Sequence, residues 1–312
     1  MESSTARGSI TMTIEAGVLP RSPAGFGGLA GYWALTKPDI NLLIGITVFA
    51  GFCLGRPTAS SSFPIGLLIN SLLGTMLVAG GSGALNQYIE RNFDAQMRRT
   101  ARRPLAAGKV EPHHALCFGI LLSGVGALYL AFLVNMLASL IAIATLICYL
   151  VLYTPLKRKT PLCTLVGAFP GAAPPLIGWV AASGGLSSGA WILYAMLFLW
   201  QFPHFMAIAW MYRDDYDRAG YMVLPRGEGA SRFMAWQSLL PLVVLIPLSL
   251  IPTLLGYAGL TYAMAALFLN CGFLYWAVRL ILEKSNLFAR RLLTASIIYL
   301  PIIFLVMLLD KN

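Results

Sequence analysis

Long stretches without a charged side chain alternate with short charged segments along the chain. Six runs lack Asp, Glu, Lys and Arg: 40–55, 57–89, 112–156, 160–212, 233–278 and 292–309. A helix that spans a bilayer needs about 20 mostly apolar residues. The first, second and last runs each have room for one such helix, and the three longer runs each have room for two. The pattern therefore predicts nine transmembrane helices.

Turn-forming residues near the middle of each long run support its division into two helices. They are Val134-Asn135, the stretch 182–189, and the stretch from Pro252 to Gly259. Gly, Ser, Asn and Pro favour turns because they adopt or fix backbone conformations that a helix does not use. A further Gly- and Pro-rich stretch, 167–175, falls inside a predicted helix. We expect it to kink or break that helix where the helix lines a cavity.

The composition agrees with a polytopic all-α membrane protein. The chain is 58% hydrophobic and 11% charged, whereas soluble domains carry about 25% charged residues. Its five cysteines are scattered in or beside apolar segments, without the spacing of a metal site. Residues 1–30 lack the apolar core of a secretory signal. We expect a flexible cytoplasmic tail over 1–30 and a single transmembrane domain over 31–312.

The basic residues give the orientation of the nine helices. Of the 22 Lys and Arg residues, all except Arg56 and Lys311 fall on one side when the loops are assigned alternately. Basic loops stay in the cytoplasm, so the N-terminus and the charged loops are predicted to be cytoplasmic and the C-terminus outside. The net charge of +10 is thereby explained as a topology signal, and no nucleic-acid partner is expected.

The segment after the second predicted helix carries a regular row of oxygen ligands. Asn86, Glu90 and Asp94 recur every four residues, which places them on one face of a helix. Two carboxylates at this spacing repel each other unless a cation lies between them, and oxygen ligands of this kind suit Mg²⁺. The arginines that follow suit a diphosphate; they are Arg98, Arg99, Arg102 and Arg103. Alternatively, the segment is a solvated helix end with arginines that set the topology.

A second acidic cluster lies on the same predicted side of the membrane. Asp214, Asp215 and Asp217 follow an apolar helix and are flanked by Arg213 and Arg218. Two acidic clusters that face each other would hold Mg²⁺ ions, which neutralise charge developing on a diphosphate. The alternative is ordinary charge pairing at a helix end. Lys157, Arg158 and Lys159 add cations on this side, to bind diphosphate, to set the topology or to contact anionic membrane lipids.

The chain contains three histidines. His113 and His114 stand at the start of a predicted helix, a position more typical of an interface. His204 lies inside an apolar helix, two to three turns before the second acidic cluster. An ionisable residue within a membrane helix marks a functional site by default. The alternative is a histidine that only hydrogen-bonds across helices.

Several sequence blocks together identify a family. They are Leu35-Thr36-Lys37-Pro38, the segments 86–94 and 97–105, Tyr153-Thr154-Pro155-Leu156-Lys157-Arg158, and the segments 167–178, 200–205 and 212–225. With these blocks, the chain resembles the UbiA superfamily of intramembrane prenyltransferases, and within it the branch that acts on haem. The superfamily usually has Asp where this chain has Glu90. Glutamate keeps the charge and adds one methylene, so we expect the metal site to survive.

The resemblance implies nine helices around a central cavity, with the active site at the cytoplasmic side of a bacterial inner membrane. It implies transfer of a farnesyl group from farnesyl diphosphate to the 2-vinyl group of haem b, giving haem O for terminal-oxidase assembly. A contact with haem A synthase is then expected. Asn86, Glu90 and Asp94 would hold one Mg²⁺, and Asp214 with Asp215 or Asp217 a second.

The resemblance also implies the substrate-binding residues. Diphosphate would be bound by five cations, and His204 would contact haem as an iron ligand or through a propionate. The five cations are Arg98, Arg102, Arg103, Lys157 and Arg158. Two other functions remain open from the residues alone. One is prenyl transfer to an aromatic acceptor in quinone biosynthesis, and the other is secondary transport, which usually shows internal repeats and charges near the membrane midplane.

Overall fold

The computed structural model describes residues 28–56, 62–225, 227 and 229–311. The predicted tail over 1–30 lies almost wholly outside them. The helices are α1 Leu29–Leu35, α2 Pro38–Gly55, α3 Ile65–Asp94, α4 Pro112–Leu133, α5 Met136–Ile147, α6 Thr154–Leu156, α7 Cys163–Gly171, α8 Pro174–Ser183, α9 Ser188–Met211, α10 Arg213–Arg218, α11 Gly229–Leu248, α12 Ile251–Leu254, α13 Leu260–Glu283 and α14 Asn286–Leu309. A π-helical turn, Cys148–Tyr153, joins α5 to α6.

Nine helical segments in the described part of the chain are long and apolar enough to cross a membrane. Six are the single helices α2, α3, α4, α9, α13 and α14, and the other three join shorter helices as Met136–Leu156, Cys163–Ser183 and Gly229–Leu254. The number predicted from the charge-free runs is confirmed. Large apolar side chains cover the outer faces of these helices, as a bilayer solvent requires.

The predicted breaks occur where the turn residues stand. Asn135 separates α4 from α5, and its side chain accepts a hydrogen bond from the Ala138 amide, which caps α5. Gly184 ends α8 with a positive φ of 77°, a conformation that glycine adopts without steric cost. Inside 167–175, α7 ends at Gly171 and α8 begins with Pro174. The expected broken helix is therefore confirmed.

The broken segment Cys163–Ser183 lies inside the bundle. About 72% of its most apolar window is buried, the largest share among the nine segments. It packs against α2 through two glycines, because a Cβ at Gly51 would overlap the Pro175 backbone and one at Gly178 would overlap the Val48 carbonyl. This close approach places α2 and α8 together at the centre of the fold.

The last residues of the chain join α14 to two other helices at the end of the bundle that carries Gly55. The Lys311 ammonium donates hydrogen bonds to the Cys53, Leu54 and Arg56 carbonyls at the end of α2, at 3.0, 3.1 and 2.7 Å. The Asp310 carboxylate accepts from the Tyr262 amide in the first turn of α13, at 2.7 Å. Each charge therefore lies at the helix end whose dipole it complements.

Candidate active site at one end of the bundle

The predicted row of oxygen ligands forms the buried face of the last turns of α3. Asn86, Glu90 and Asp94 are 1%, 5% and 1% exposed. They are buried even though Asp94 is the last residue of α3 and an arginine-rich loop follows it. A buried carboxylate is costly unless charged or hydrogen-bonded partners surround it. The partners of these three residues therefore define the site.

Each residue of the row is paired with a different cation. The Lys37 ammonium donates to Asn86 Oδ1 at 2.7 Å, and the Lys157 ammonium lies 2.8 Å from Glu90 Oε1. Arg103 Nη1 contacts both oxygens of Asp94 at 2.8 Å. The three cations come from the α1–α2 junction, the segment after α6 and the loop after α3. Residues far apart in sequence therefore neutralise one row, named below the ligand row: Asn86, Glu90 and Asp94.

Lys37 was not among the site residues predicted from the sequence. It precedes Pro38 and has a left-handed backbone, with φ 53° and ψ 64°, which costs a non-glycine residue about 1–2 kcal/mol. Burial, together with nearby Arg103 and Lys157, lowers the pKa of Lys37 to about 7. In the sequence, the only signal for Lys37 was its position directly before Pro38 at the start of the first long apolar helix. In the structure, this position directs the ammonium toward the ligand row.

The π-helical turn between α5 and α6 positions the partners of the ligand row. Its one extra residue per turn rotates the following residues by about 100° relative to an uninterrupted α-helix. Thr154 and Lys157 then reach Asn86 and Glu90, and the Lys157 ammonium lies 4.6 Å from the centre of the Tyr153 ring. Hydrophobic periodicity gives no signal for such a turn, so the contacts of Thr154 and Tyr153 could not be predicted.

Three loops close over this end of the bundle. The Met222 amide donates to the Lys157 carbonyl at 2.7 Å, and Met97, Ala219 and Tyr221 form a buried apolar cluster. The Tyr221 hydroxyl is buried. Burial, with the nearby Glu90 carboxylate, raises the pKa of Tyr221 above its usual value. The hydroxyl therefore stays protonated beside Glu90, where it can donate a hydrogen bond to the carboxylate.

The second acidic cluster is divided between the interior and the surface. Asp215 is buried, accepts from the Arg99 amide at 3.3 Å and pairs with Arg218 at 3.1 Å. The Asp214 side chain is 85% exposed, and Asp217 is also exposed. Neighbouring residues of α10 point about 100° apart, so the three carboxylates cannot share one face. A metal contact by Asp214 with Asp215 or Asp217 stays a prediction.

A cleft of about 570 Å³ lies between the loop after α3 and the end of α9. Its charged lining consists of Arg98, Arg99, Asp214, Asp215 and Arg218. Arg102 and Arg158 are exposed at the same end of the bundle, and the Arg158 guanidinium lies 4.0 Å from the centre of the Phe93 ring. Guanidinium groups around a cleft of this size suit an oxyanion such as a phosphate.

The donors of the ligand row fit Mg²⁺, which binds carboxylate and amide oxygens together with substrate phosphates. Among the described residues, one group of three His, Cys, Asp or Glu side chains has ligand atoms within 4.8 Å of one another, and it consists of Glu111, His113 and His114. The ligand row could supply two carboxylates and one amide oxygen to Mg²⁺, so water or phosphate oxygens would fill the other positions.

His204 lies in α9 and contacts α14. Its Nδ1 is 2.7 Å from Ser296 Oγ, and Ser296 Oγ donates its single proton to the Leu293 carbonyl at 2.6 Å. His204 Nδ1 must therefore carry the proton, which leaves Nε2 with a lone pair. Trp200 stacks on the ring, with centres 4.8 Å apart. His113 and His114 instead lie 3.4 and 3.7 Å from Glu111.

The nine apolar segments are those of a polytopic membrane protein, and its charged pocket lies at one end of the helical bundle. A sequence model of the UbiA prenyltransferase family matches residues 27–304. The chain belongs to this family.

Several relatives carry one name. A protoheme IX farnesyltransferase of Solibacter usitatus is 46% identical over 286 residues, which cover 90% of this chain and 98% of that protein. One of Koribacter versatilis is 44% identical over 293 residues, which cover 91% of this chain and 94% of the relative. The similarity therefore extends over nearly the whole of each protein.

Solved structures share the fold at lower identity. A digeranylgeranylglyceryl phosphate synthase gives a TM-score of 0.73 at 18% identity, over 90% of this chain and 98% of that one. A UbiA homologue of Archaeoglobus fulgidus bound to GPP and Mg²⁺ gives 0.60 at 14% identity, over 89% and 99%. The predicted UbiA-like all-α fold is confirmed.

The pairing of the ligand row predicts a specific loss of stability. Lys157→Met leaves the Glu90 carboxylate buried without its cation, so we expect the free energy of unfolding to fall by about 3 kcal/mol. Lys157→Met with Glu90→Gln removes both charges and should recover most of this loss. Unfolding of the detergent-solubilised protein by added SDS measures both, with exposed Lys109→Met as the control. Equal destabilisation in the single and double variants would contradict the pairing.

Proposed function

We propose that this protein transfers a farnesyl group from farnesyl diphosphate to the 2-vinyl group of haem b, giving haem O and releasing diphosphate. The observation that carries the proposal is the ligand row, buried at one end of an apolar bundle with one cation on each member. Relatives 34–46% identical, all named protoheme IX farnesyltransferase, support the choice of donor and acceptor.

In this proposal, Asn86, Glu90 and Asp94 hold one Mg²⁺, and Asp214 with Asp215 or Asp217 holds the second. The buried oxygen donors of the row support a metal with oxygen ligands. The Archaeoglobus homologue, described as bound to GPP and Mg²⁺, supports the same pairing of metal and prenyl diphosphate. The bound Mg²⁺ would neutralise negative charge on the leaving diphosphate.

Three cations lie on the ligand row and could also bind a diphosphate. Lys37, Lys157 and Arg103 occupy oxygens that a metal would need. If the row held Mg²⁺ with diphosphate, these three side chains would be free to bind the diphosphate oxygens. Arg98, Arg102 and Arg158 extend the same positive surface at the mouth of the site. The three basic side chains outnumber the two carboxylates by one, which suits a ligand with a net negative charge such as diphosphate with Mg²⁺.

The bundle supplies the apolar surroundings of the reaction. The farnesyl chain lies among the helices, where each buried CH₂ contributes about 0.8 kcal/mol. The bond between the allylic carbon and the diphosphate oxygen breaks, and the terminal vinyl carbon of haem bonds to the allylic carbon. Water adds to the positive charge left on the other vinyl carbon and loses a proton, which gives the hydroxyalkyl side chain of haem O. Exclusion of bulk water protects the allylic cation until the vinyl group attacks.

His204 is the haem contact in this account. Ser296 fixes its proton on Nδ1 and leaves the Nε2 lone pair available, which is the form of imidazole that binds iron. Trp200 holds the ring from one face. His204 therefore positions the acceptor from within α9, about two turns from the diphosphate cleft at the end of that helix.

The remaining parts of the proposal concern the cell. The chain forms one transmembrane domain over 31–312 in a bacterial inner membrane, with the active-site loops cytoplasmic and the C-terminus outside, because the basic loops coincide with the site end. The product is consumed by an enzyme that oxidises haem O, so haem A synthase is a natural neighbour. A reporter protein fused after Lys159 should lie in the cytoplasm, and one fused after Ser187 should lie outside. A cytoplasmic reporter at Ser187 would contradict the helix count.

The purified protein with haem b, farnesyl diphosphate and Mg²⁺ should give haem O, identified by mass spectrometry. Excess EDTA should abolish product, and Asp94→Asn should lower the rate about a hundredfold, or about 2.7 kcal/mol of barrier. Glu90→Asp should be mild, because it keeps the carboxylate. Full activity in EDTA would contradict the metal mechanism.

The same assay separates the two alternative functions. A prenylated aromatic acid with no haem O would indicate the quinone-type reaction, and transport without product would indicate a transporter.

His204→Ala should weaken haem b binding and slow turnover while leaving farnesyl diphosphate affinity nearly unchanged, because diphosphate is bound elsewhere. If His204 binds iron, the Soret band of bound haem should also shift; an unshifted band with weaker binding would indicate a propionate contact. His113→Ala is the control, since its side chain is 68% exposed. Wild-type haem affinity and turnover in His204→Ala would make His204 a packing residue.

A further inference from the structure

The carboxamide of Asn86 has one orientation that serves a metal and one that does not. Only Oδ1 can bind a cation, whereas Nδ2 is a donor. In the structure, Nδ2 donates to Glu90 Oε2 at 3.0 Å and to Thr154 Oγ1 at 3.3 Å, and Oδ1 accepts from Lys37 at 2.7 Å. What fixes this orientation decides whether the row presents an oxygen or an NH₂ group.

Thr154 specifies the orientation through its own hydrogen bond. Its hydroxyl donates to the Tyr149 carbonyl at 2.8 Å, and a hydroxyl has only one proton. Toward Asn86, Thr154 Oγ1 can therefore only accept, which requires the NH₂ group on that side. Thr154 is 3% exposed and Asn86 is 1% exposed, so water does not compete for either group.

The π-helical turn makes this arrangement possible. The Thr154 amide also donates to the Tyr149 carbonyl, five residues back, so the amide and the hydroxyl of one residue share a single acceptor. This geometry locks the Thr154 side chain against α3. Without the extra residue in the turn, the side chain at 154 would point about 100° away.

In the proposed function, the other two neighbours of the carboxamide would change their contacts when substrate binds. Glu90 is itself a proposed metal ligand, and Lys37 occupies the oxygen that the metal needs. Thr154 is neutral and bonds to backbone, so it alone of the three keeps the same partner with metal present. We propose that Thr154 is a positioning residue that holds Asn86 Oδ1 toward the metal and diphosphate. The inference rests on the proposed metal role of Asn86.

The experiment measures metal affinity directly, with Mn²⁺ in place of Mg²⁺. Electron paramagnetic resonance reports free Mn²⁺ during titration of the detergent-solubilised protein in the presence of inorganic diphosphate. Thr154→Val keeps the shape and removes the hydroxyl, and we expect its Mn²⁺ affinity to fall about tenfold. Thr154→Ser restores the hydroxyl and should recover affinity to within twofold.

Two further variants separate positioning from general damage. Thr75→Val removes a buried threonine hydroxyl on α3 that donates to the Ser71 carbonyl at 2.7 Å, and should leave Mn²⁺ affinity unchanged. Asn86→Asp places an oxygen at both ends of the side chain. In that background, Thr154→Val should therefore lose much less affinity than in the wild type.

The outcomes distinguish this inference from the metal site itself. If Asn86→Ala leaves Mn²⁺ affinity unchanged, the proposed metal role of Asn86 fails. If Asn86→Ala weakens binding but Thr154→Val does not, the positioning role alone is overturned. An equal loss from Thr154→Val in the wild type and in the Asn86→Asp background would also overturn it, as would an equal loss in Thr154→Ser.

Discussion

Two carboxylates buried at the end of a membrane-spanning helix have to be neutralised, and the site is arranged around that requirement. Glu90 and Asp94 are at most 5% exposed, in surroundings where an unpaired charge is costly. Lys157 and Arg103 meet them one to one, and Lys37 meets the neighbouring amide. Lys157 and Arg103 balance the two carboxylates in a bundle that carries no substrate, and Lys37 adds a third basic side chain beside them.

The pairing depends on unusual backbone in two places. Lys37 reaches Asn86 from a left-handed conformation before a proline, and Lys157 reaches Glu90 from beyond a π-helical turn. Both features are unfavourable or rare in isolation and are retained where surrounding structure fixes them. The loops after α3 and α10 meet beside the row, with Met97, Ala219 and Tyr221 packed together. The unusual backbone at these two places therefore positions the cations that neutralise the pocket.

The parts of this structure that follow from local patterns could be predicted. The charge-free runs predicted the nine spans, and Asn135 and the segment 167–175 predicted helix breaks that the structure contains. The spacing of Asn86, Glu90 and Asp94 predicted that they share one helix face, and that face is buried. Lys37 and Thr154 were not found in this way, because their roles come from backbone conformations that hydrophobic periodicity does not encode. The role of each residue in the second acidic cluster could not be predicted, because Asp214 and Asp215 follow one another on α10 and face different directions.

We infer that the ligand row is already neutralised by protein cations, so that metal binds well only when diphosphate takes those cations over. Titration of protein-bound Mn²⁺ by electron paramagnetic resonance, with and without inorganic diphosphate, measures this coupling once the Mn²⁺ that diphosphate chelates in protein-free solution is subtracted. Affinity should be at least about tenfold higher with diphosphate, equivalent to about 1.4 kcal/mol of coupling. The same Mn²⁺ affinity in both titrations would contradict it.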